Sequence, residues 1–256
     1  MTKEVVVVPE NKKYWEFKNK SADEADLYLY IEVASWGGGY YAHSAKSFKR
    51  DLDALGDIKT LNIYINSPGG DVFEGNAIYN MLKRKAKNCQ INVYIDGLAA
   101  SIASVIAMAG NVFMPSNAMM MVHNAWCLTW GNAKELRDTA NALEKIDTSI
   151  KQTYLNKAGD KLDEETLTDL LDNETWLTAQ ECLDYGLCDE IIGEKQVAAK
   201  FDNSIFKNYR NVPKIYKIDD ENLKEPLNNL PDESLESPKQ DIEAEKAKLL
   251  MELELI

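Results

Sequence analysis

An α/β domain with a mostly parallel sheet is the fold this sequence predicts, and three observations predict it. Short apolar runs stand at 60–66, 90–95, 111–115 and 118–122, the first two rich in β-branched residues, at the length of buried strands. Residues 71–86 and 100–109 carry apolar side chains at helical spacing between those runs. Strands that alternate with helices in this way build a layered α/β domain.

Taken in order, residues 1–13 are polar after a short valine run and read as loose or as an edge strand. The domain is therefore expected to begin at residue 26, with 1–25 a loose N-terminal segment. Residues 27–33 alternate as a strand does, and Gly37, Gly38 and Gly39 break it before an amphipathic helix over 45–55, with Phe48, Leu52 and Leu55 on one face. The run 90–95 stops at a tight turn at Gly97, and small residues then open the helix 100–109. Residues 131–157 form one long helix on the spacing of Leu136, Ala140, Leu143, Ile146, Ile150 and Tyr154. A short helix over 163–171 follows. Thr178 with Glu181 three residues later makes a capping box, Gly186 closes that helix, and 187–192 is a last strand. Beyond residue 212 the composition turns acidic and poor in large apolar residues, so 213–237 reads as a linker. Ser237 as N-cap and Pro238 at the first helical position start a terminal amphipathic helix over 238–256.

A chain of 256 residues, 45% hydrophobic, holds one sizeable domain with appendages. Its formal net charge of −13 argues against a nucleic-acid partner, which needs a basic surface. Residues 219–256 supply much of that charge, with 12 acids against 4 bases, so the domain itself is far less acidic. The four cysteines show no C-x-x-C pair and no metal spacing, and the apolar core at 5–8 is too short for a signal peptide. These features point to reduced thiols in a cytoplasm. The longest apolar run, 98–109, is too short to span a bilayer.

Three separated pieces carry chemistry. Ser101 lies at the junction of strand and helix, in the first helical turn, where unpaired N–H groups and the dipole would stabilise charge on a neighbouring oxygen. Upstream, N-S-P-G-G at 66–70 ends a strand on two glycines, which can present N–H groups to a reacting carbonyl with no Cβ in the way. Downstream, the strand 118–122 ends on His123, one of two histidines, and imidazole is the usual base for an alcohol nucleophile. His43 falls in a loop with no strand end to fix it. A serine tolerated among alanines is the bland alternative for Ser101 taken alone.

The order N-S-P-G-G, D-G-L-A-A-S, M-V-H resembles the proteolytic subunit of the Clp protease, a serine peptidase family. The segment 174–192, opening E-T-W-L-T-A, resembles the family's stretch that carries the third triad member. The resemblance covers about residues 26–193, and within the family it leans towards the ClpP-like head maturation proteases of tailed bacteriophages. It implies a spiral of β-β-α units, shared with the crotonase enzymes, from which the long helix projects to interlock two rings. It implies Ser101 as nucleophile, His123 as base, Glu174 as the acid, with Asp172 the alternative, and N–H groups of Gly70 and Ile102 as the oxyanion hole. The family has Asp where this chain has Glu174. Backbone after Gly70 is expected to be extended and to pair with substrate. No metal or cofactor is called for. Partners are copies of itself in stacked rings and protein substrates, with capsid or scaffold precursors among them, in a host cytoplasm or an assembling prohead. A crotonase-type enzyme would need neither Ser101 nor His123, and a silent scaffold relative would keep the fold alone.

Overall fold

The aliphatic runs become the middle of one sheet because each lines up its aliphatic side chains on a face that must be covered. The computed structural model of the chain describes residues 15–30, 32–33, 44–193 and 209–212. His43, the linker 213–237 and the terminal helix 238–256 lie outside the described residues.

The strands are β1 (Glu16–Asn19), β2 (Glu24–Leu29), β3 (Thr60–Ser67), β4 (Gln90–Ala100), β5 (Asn111–Pro115), β6 (Met119–Val122), β7 (Thr175–Thr178) and β8 (Glu190–Ile192). The helices are α1 (Ala45–Asp53), α2 (Val72–Lys85), α3 (Ile102–Ala107), α4 (Ala133–Ala158), α5 (Glu164–Asp172) and α6 (Ala179–Asp184). The sheet runs β1-β2-β3-β4-β5-β8. Only β1–β2 and β6–β7 pair antiparallel among the described strands. This is the mixed α/β architecture expected.

Strand β4 forks the sheet. Its first half, through Asn92 and Tyr94, pairs with β5, while Leu98 to Ala100 pair with β6. The fork corrects the expectation of a tight turn at Gly97, because β4 passes straight through it. The register with β3 shifts between Ile65 and Ser67, and Asn66 Oδ1 patches the irregularity by accepting the Leu98 N–H at 3.1 Å. The second half of β4 thereby swings onto a different neighbour. Both β4 and β6 are carried to the same end of the sheet, where Ser101 and His123 follow them.

On one face Leu27, Leu29, Ile63, Ile65, Val93 and Ile95 are buried with Phe48, Ile78 and Leu82 from α1 and α2. On the other, the rings of Tyr28, Tyr64, Tyr94 and Phe113 stack across four strands at 5.0–5.2 Å. Helix α3 has all six residues buried, which is why its sequence is small and apolar throughout.

Two boundaries differ from expectation. The sheet starts before residue 26: Trp15 is buried against Phe48, its indole N–H donates to Asp51 at 3.0 Å, and β1 pairs with β2. Residues 1–14 are outside the described part. Residues 175–178, for which the sequence predicts no element, form β7 paired with β6. Helix α4 begins at an Asn132–Glu135 capping box, and its first buried residue is Ile150. Its N-terminal half stands off the domain, with Leu136 exposed.

Candidate active site

The site assembles where three strand ends meet. Ser101 is the N-cap of α3, not a residue of its first turn, and its backbone has φ 53° and ψ −131°. Ser101 and Glu174 (φ 48°) are the two non-glycine residues with positive φ among the described residues, and both lie at this site. Such a conformation costs on the order of 1–3 kcal/mol and persists only where surroundings impose it. Here Met121 O takes the Ser101 N–H at 2.9 Å. Ser101 O accepts from Ser104 N–H at 3.0 Å and from Ser104 Oγ at 2.5 Å. Ser104 Oγ in turn lies 2.6 Å from the buried Tyr154 hydroxyl. A strained strand-to-helix turn of this kind lifts Oγ clear of the backbone.

His123 follows β6 directly, and its Nε2 lies 2.7 Å from Ser101 Oγ. For Nε2 to accept from the serine, the ring proton sits on Nδ1. Burial lowers the imidazole below its ordinary value of 6.5, and the Glu174 charge opposes this to a smaller degree. The ring is therefore neutral and able to take a proton at neutral pH.

The glycine turn lies against the serine turn. A Cβ on Gly69 (φ 95°) would stand 2.6 Å from Ser101 Cβ and 3.1 Å from Ile102 N, so only glycine lets the two turns approach. Gly70 forms a parallel bridge to Val33 in which Val33 N–H donates to Gly69 O at 2.6 Å and Asp71 N–H to Val33 O at 2.7 Å. In that pattern Gly70's own N–H and C=O face the opposite side. Ile102 heads α3, so its N–H has no intrahelical acceptor. At six residues α3 is a weak dipole, and any charge stabilisation rests on individual N–H groups instead. Backbone after Gly70 is not extended as expected: Asp71 caps α2 through the N–H groups of Phe73 and Glu74.

The two carboxylates are occupied differently. Asp172 Oδ1 accepts from Asn124 Nδ2 at 2.6 Å, beside His123. Glu174 Oε1 accepts the Asn211 N–H at 2.7 Å and acts on the imidazole through space. Among the described residues no carboxylate accepts a hydrogen bond from His123. Sequence reasoning missed Asn124, Asn211 and Tyr209. Tyr209 stands edge-on to His123 with ring centroids 5.7 Å apart, and its hydroxyl donates to Pro68 O. A lone tyrosine in a polar stretch beyond the last strand carries no periodicity or motif that could have found it.

An open cleft of about 570 Å³ leads away from Ser101, with Val105, Leu143, Ile146 and Ile150 on its apolar side. A serine hydroxyl on a strained turn, 2.7 Å from an adjoining imidazole and packed against a double-glycine turn, is the arrangement of a serine-type hydrolase. The Clp protease family profile matches residues 43–195, more than half the chain. The ATP-dependent Clp protease proteolytic subunit of Ligilactobacillus salivarius is 34% identical over 148 residues, covering 57% of this chain and 73% of the relative. The subunit of the same description from Bacteroides fragilis is 30% identical over 159 residues, covering 61% and 75%. The chain belongs to the Clp protease family and is a serine-type peptidase. Among the described residues no helix is long and apolar enough to cross a membrane.

Proposed function

We propose that the chain is an endopeptidase in which Ser101 Oγ attacks a peptide carbonyl and His123 Nε2 takes its proton, then passes it to the leaving amine. The N–H groups of Gly70 and Ile102 receive the developing oxyanion. The acyl-enzyme on Ser101 is then released by water, with His123 again as base. Glu174 is the acid that stabilises the imidazolium, since it is the carboxylate whose charge acts on His123, while Asp172 is held by Asn124. The single observation that carries this reading is the 2.7 Å contact of Ser101 Oγ with His123 Nε2. Ser101→Ala should abolish peptide cleavage and labelling by a serine-directed fluorophosphonate without loss of fold. A label that persists, or that maps to Ser67 or Ser104, refutes the assignment.

The working form is a homo-oligomer of stacked rings. Trp126, Leu128 and Trp130 are exposed just before α4, which has no fully buried residue before Ile150. A light-scattering mass of one chain at micromolar concentration would count against it.

The natural targets are capsid or scaffold precursors of a tailed phage. The resemblance of the segments 14–19, 27–37, 70–79 and 174–179 to head maturation proteases supports this, as does an acidic extension beyond the family match. The test is incubation with a phage capsid or scaffold precursor. Discrete products that vanish in Ser101→Ala support the reading. Degradation of unrelated unfolded proteins only with an ATP-driven unfoldase supports a general Clp peptidase of a cell instead.

A further inference from the structure

Residues 209–212 lie outside the matched 43–195, yet they return to the site. Tyr209 is clamped edge-on between His123 and Trp176, at 5.7 and 6.0 Å between centroids. Its hydroxyl donates to Pro68 O, at the entrance to the Gly69–Gly70 turn, and its ring lines the cleft that holds Ser101. Burial, then the charges of Glu174 and Glu32, push the phenol up, so it stays protonated and able to donate. Asn211 grips the acid segment twice, its N–H on Glu174 Oε1 at 2.7 Å and its Nδ2 on Asn173 O at 2.6 Å. Val212 is 5% exposed and anchors the segment in a small cluster with Leu98, Ala100 and Met121, apart from the main core. Arg210 and Asn211 are exposed.

Two of these contacts engage groups that peptide hydrolysis needs, the His123 ring and the Glu174 carboxylate. A carbonyl bound to the Gly70 and Ile102 N–H groups brings its chain past Pro68, where the Tyr209 hydroxyl sits. The Tyr209 ring stands edge-on to the imidazole that must receive the Ser101 proton and hand it to the leaving amine. The Glu174 carboxylate is engaged by Asn211 while no carboxylate accepts from His123 among the described residues. Substrate and residues 209–212 therefore compete for one place.

We propose that residues 209–212 are an autoinhibitory strap that the chain lays across its own nucleophile, with Tyr209 as the plug, Asn211 as the tie on the acid and Val212 as the anchor. The inference rests on the reading of Ser101 and His123 as nucleophile and base. Docked, the strap sets a phenol in the cleft of Ser101 against the His123 ring and keeps Glu174 turned to the strap backbone. Undocked, it frees the Pro68 edge for a peptide and the carboxylate for the imidazole.

The experiment uses the full chain and measures the second-order rate at which a fluorophosphonate carrying a tripeptide acylates Ser101. Tyr209→Ala removes the plug and Val212→Asp the anchor; thermal melts confirm that each variant keeps its main core. The rate scales with the fraction of molecules whose strap is off, so a strap docked about nine-tenths of the time gives roughly a tenfold gain in both variants. The second readout is tryptic cleavage after Arg210. Acylated protein has the strap displaced and is cut there faster than unlabelled protein. Equal or slower acylation in the variants makes residues 209–212 a support of the site and overturns the strap, as does an Arg210 cleavage rate unchanged by labelling. Absence of labelling in wild type and variants alike sinks the serine-peptidase reading and the strap with it, whereas wild type labelled at the variants' rate sinks the strap alone.

Discussion

Gly70→Ala puts the proposed oxyanion hole to a quantitative test, because the structure sets both its stability cost and its kinetic cost. With φ at 144°, a β-carbon on residue 70 would stand 1.9 Å from Val33 O and 2.7 Å from Val33 C. Ordinary contact begins near 3.4 Å, so the two backbones must part by more than an ångström, and neither can yield as a flexible side chain would. The hydrogen bonds Val33 N–H to Gly69 O and Asp71 N–H to Val33 O then fail. Their loss costs about 1 kcal/mol each. Backbone strain at positive φ adds about 1–3 kcal/mol. The total, on the order of 3–5 kcal/mol, corresponds to a Tm lower by about 6–20 °C for a domain of this size. The same movement carries the residue 70 N–H off the oxyanion, and loss of one such donor lowers kcat by about 10²–10³. The assay is steady-state hydrolysis of a short unstructured peptide well below the lowered Tm, beside a thermal melt. A variant with the expected drop in Tm but kcat within about threefold of wild type would show that the Gly70 N–H does not hold the oxyanion.

The remaining expectations concern the charges and the elbow. Glu174→Gln should lower kcat by about 10⁴, as loss of the acid does in other triads, while Asp172→Asn, which keeps an acceptor for Asn124, should cost little; the reverse ranking would move the acid two residues upstream. The acidic limb of kcat/KM should be centred below 6.5, because burial opposes the imidazolium more than Glu174 favours it, so activity is present above that point and fades as pH falls through it. A limb at or above 6.5 contradicts the buried, neutral imidazole. The same shift makes the unfolded chain take up the His123 proton at higher pH than the folded one, so this group's contribution to stability falls as pH drops through 6.5. Tyr154→Phe should lower stability by about 1 kcal/mol, read as a fall in Tm, because the Ser104 hydroxyl loses a buried partner. Ser104 keeps its bond to Ser101 O, so Ser101 labelling should change little; a large kinetic loss would mean that Tyr154 itself holds the serine turn.

The sequence by itself determined what local chemistry encodes. The buried strands β3 to β6 were legible as short apolar runs, β-branched in β3 and β4, α2 and α4 from their spacing, and α6 from its Thr178–Glu181 capping box. Ser101, His123 and the glycines at 69 and 70 stood out because a turn into a helix, a histidine ending a strand and a double glycine are each short-range signals. Pairing is not such a signal, since it depends on what lies opposite. Only the tertiary structure joined β1 to the sheet, ran β4 through Gly97 and made residues 175–178 a strand, because Phe48, Asn66 and β6 supply the missing partners from far along the chain. Only it set Gly69 against Ile102 N, engaged Asp172 with Asn124 and Glu174 with Asn211, and brought Tyr209 back onto His123. Residues 209–212 are one aromatic, one cation, one amide and one valine in a row, a string with no period. Their role comes from the hydrogen-bonding groups and the small apolar hollow that the folded strand ends present to them, and those exist only once the sheet has closed.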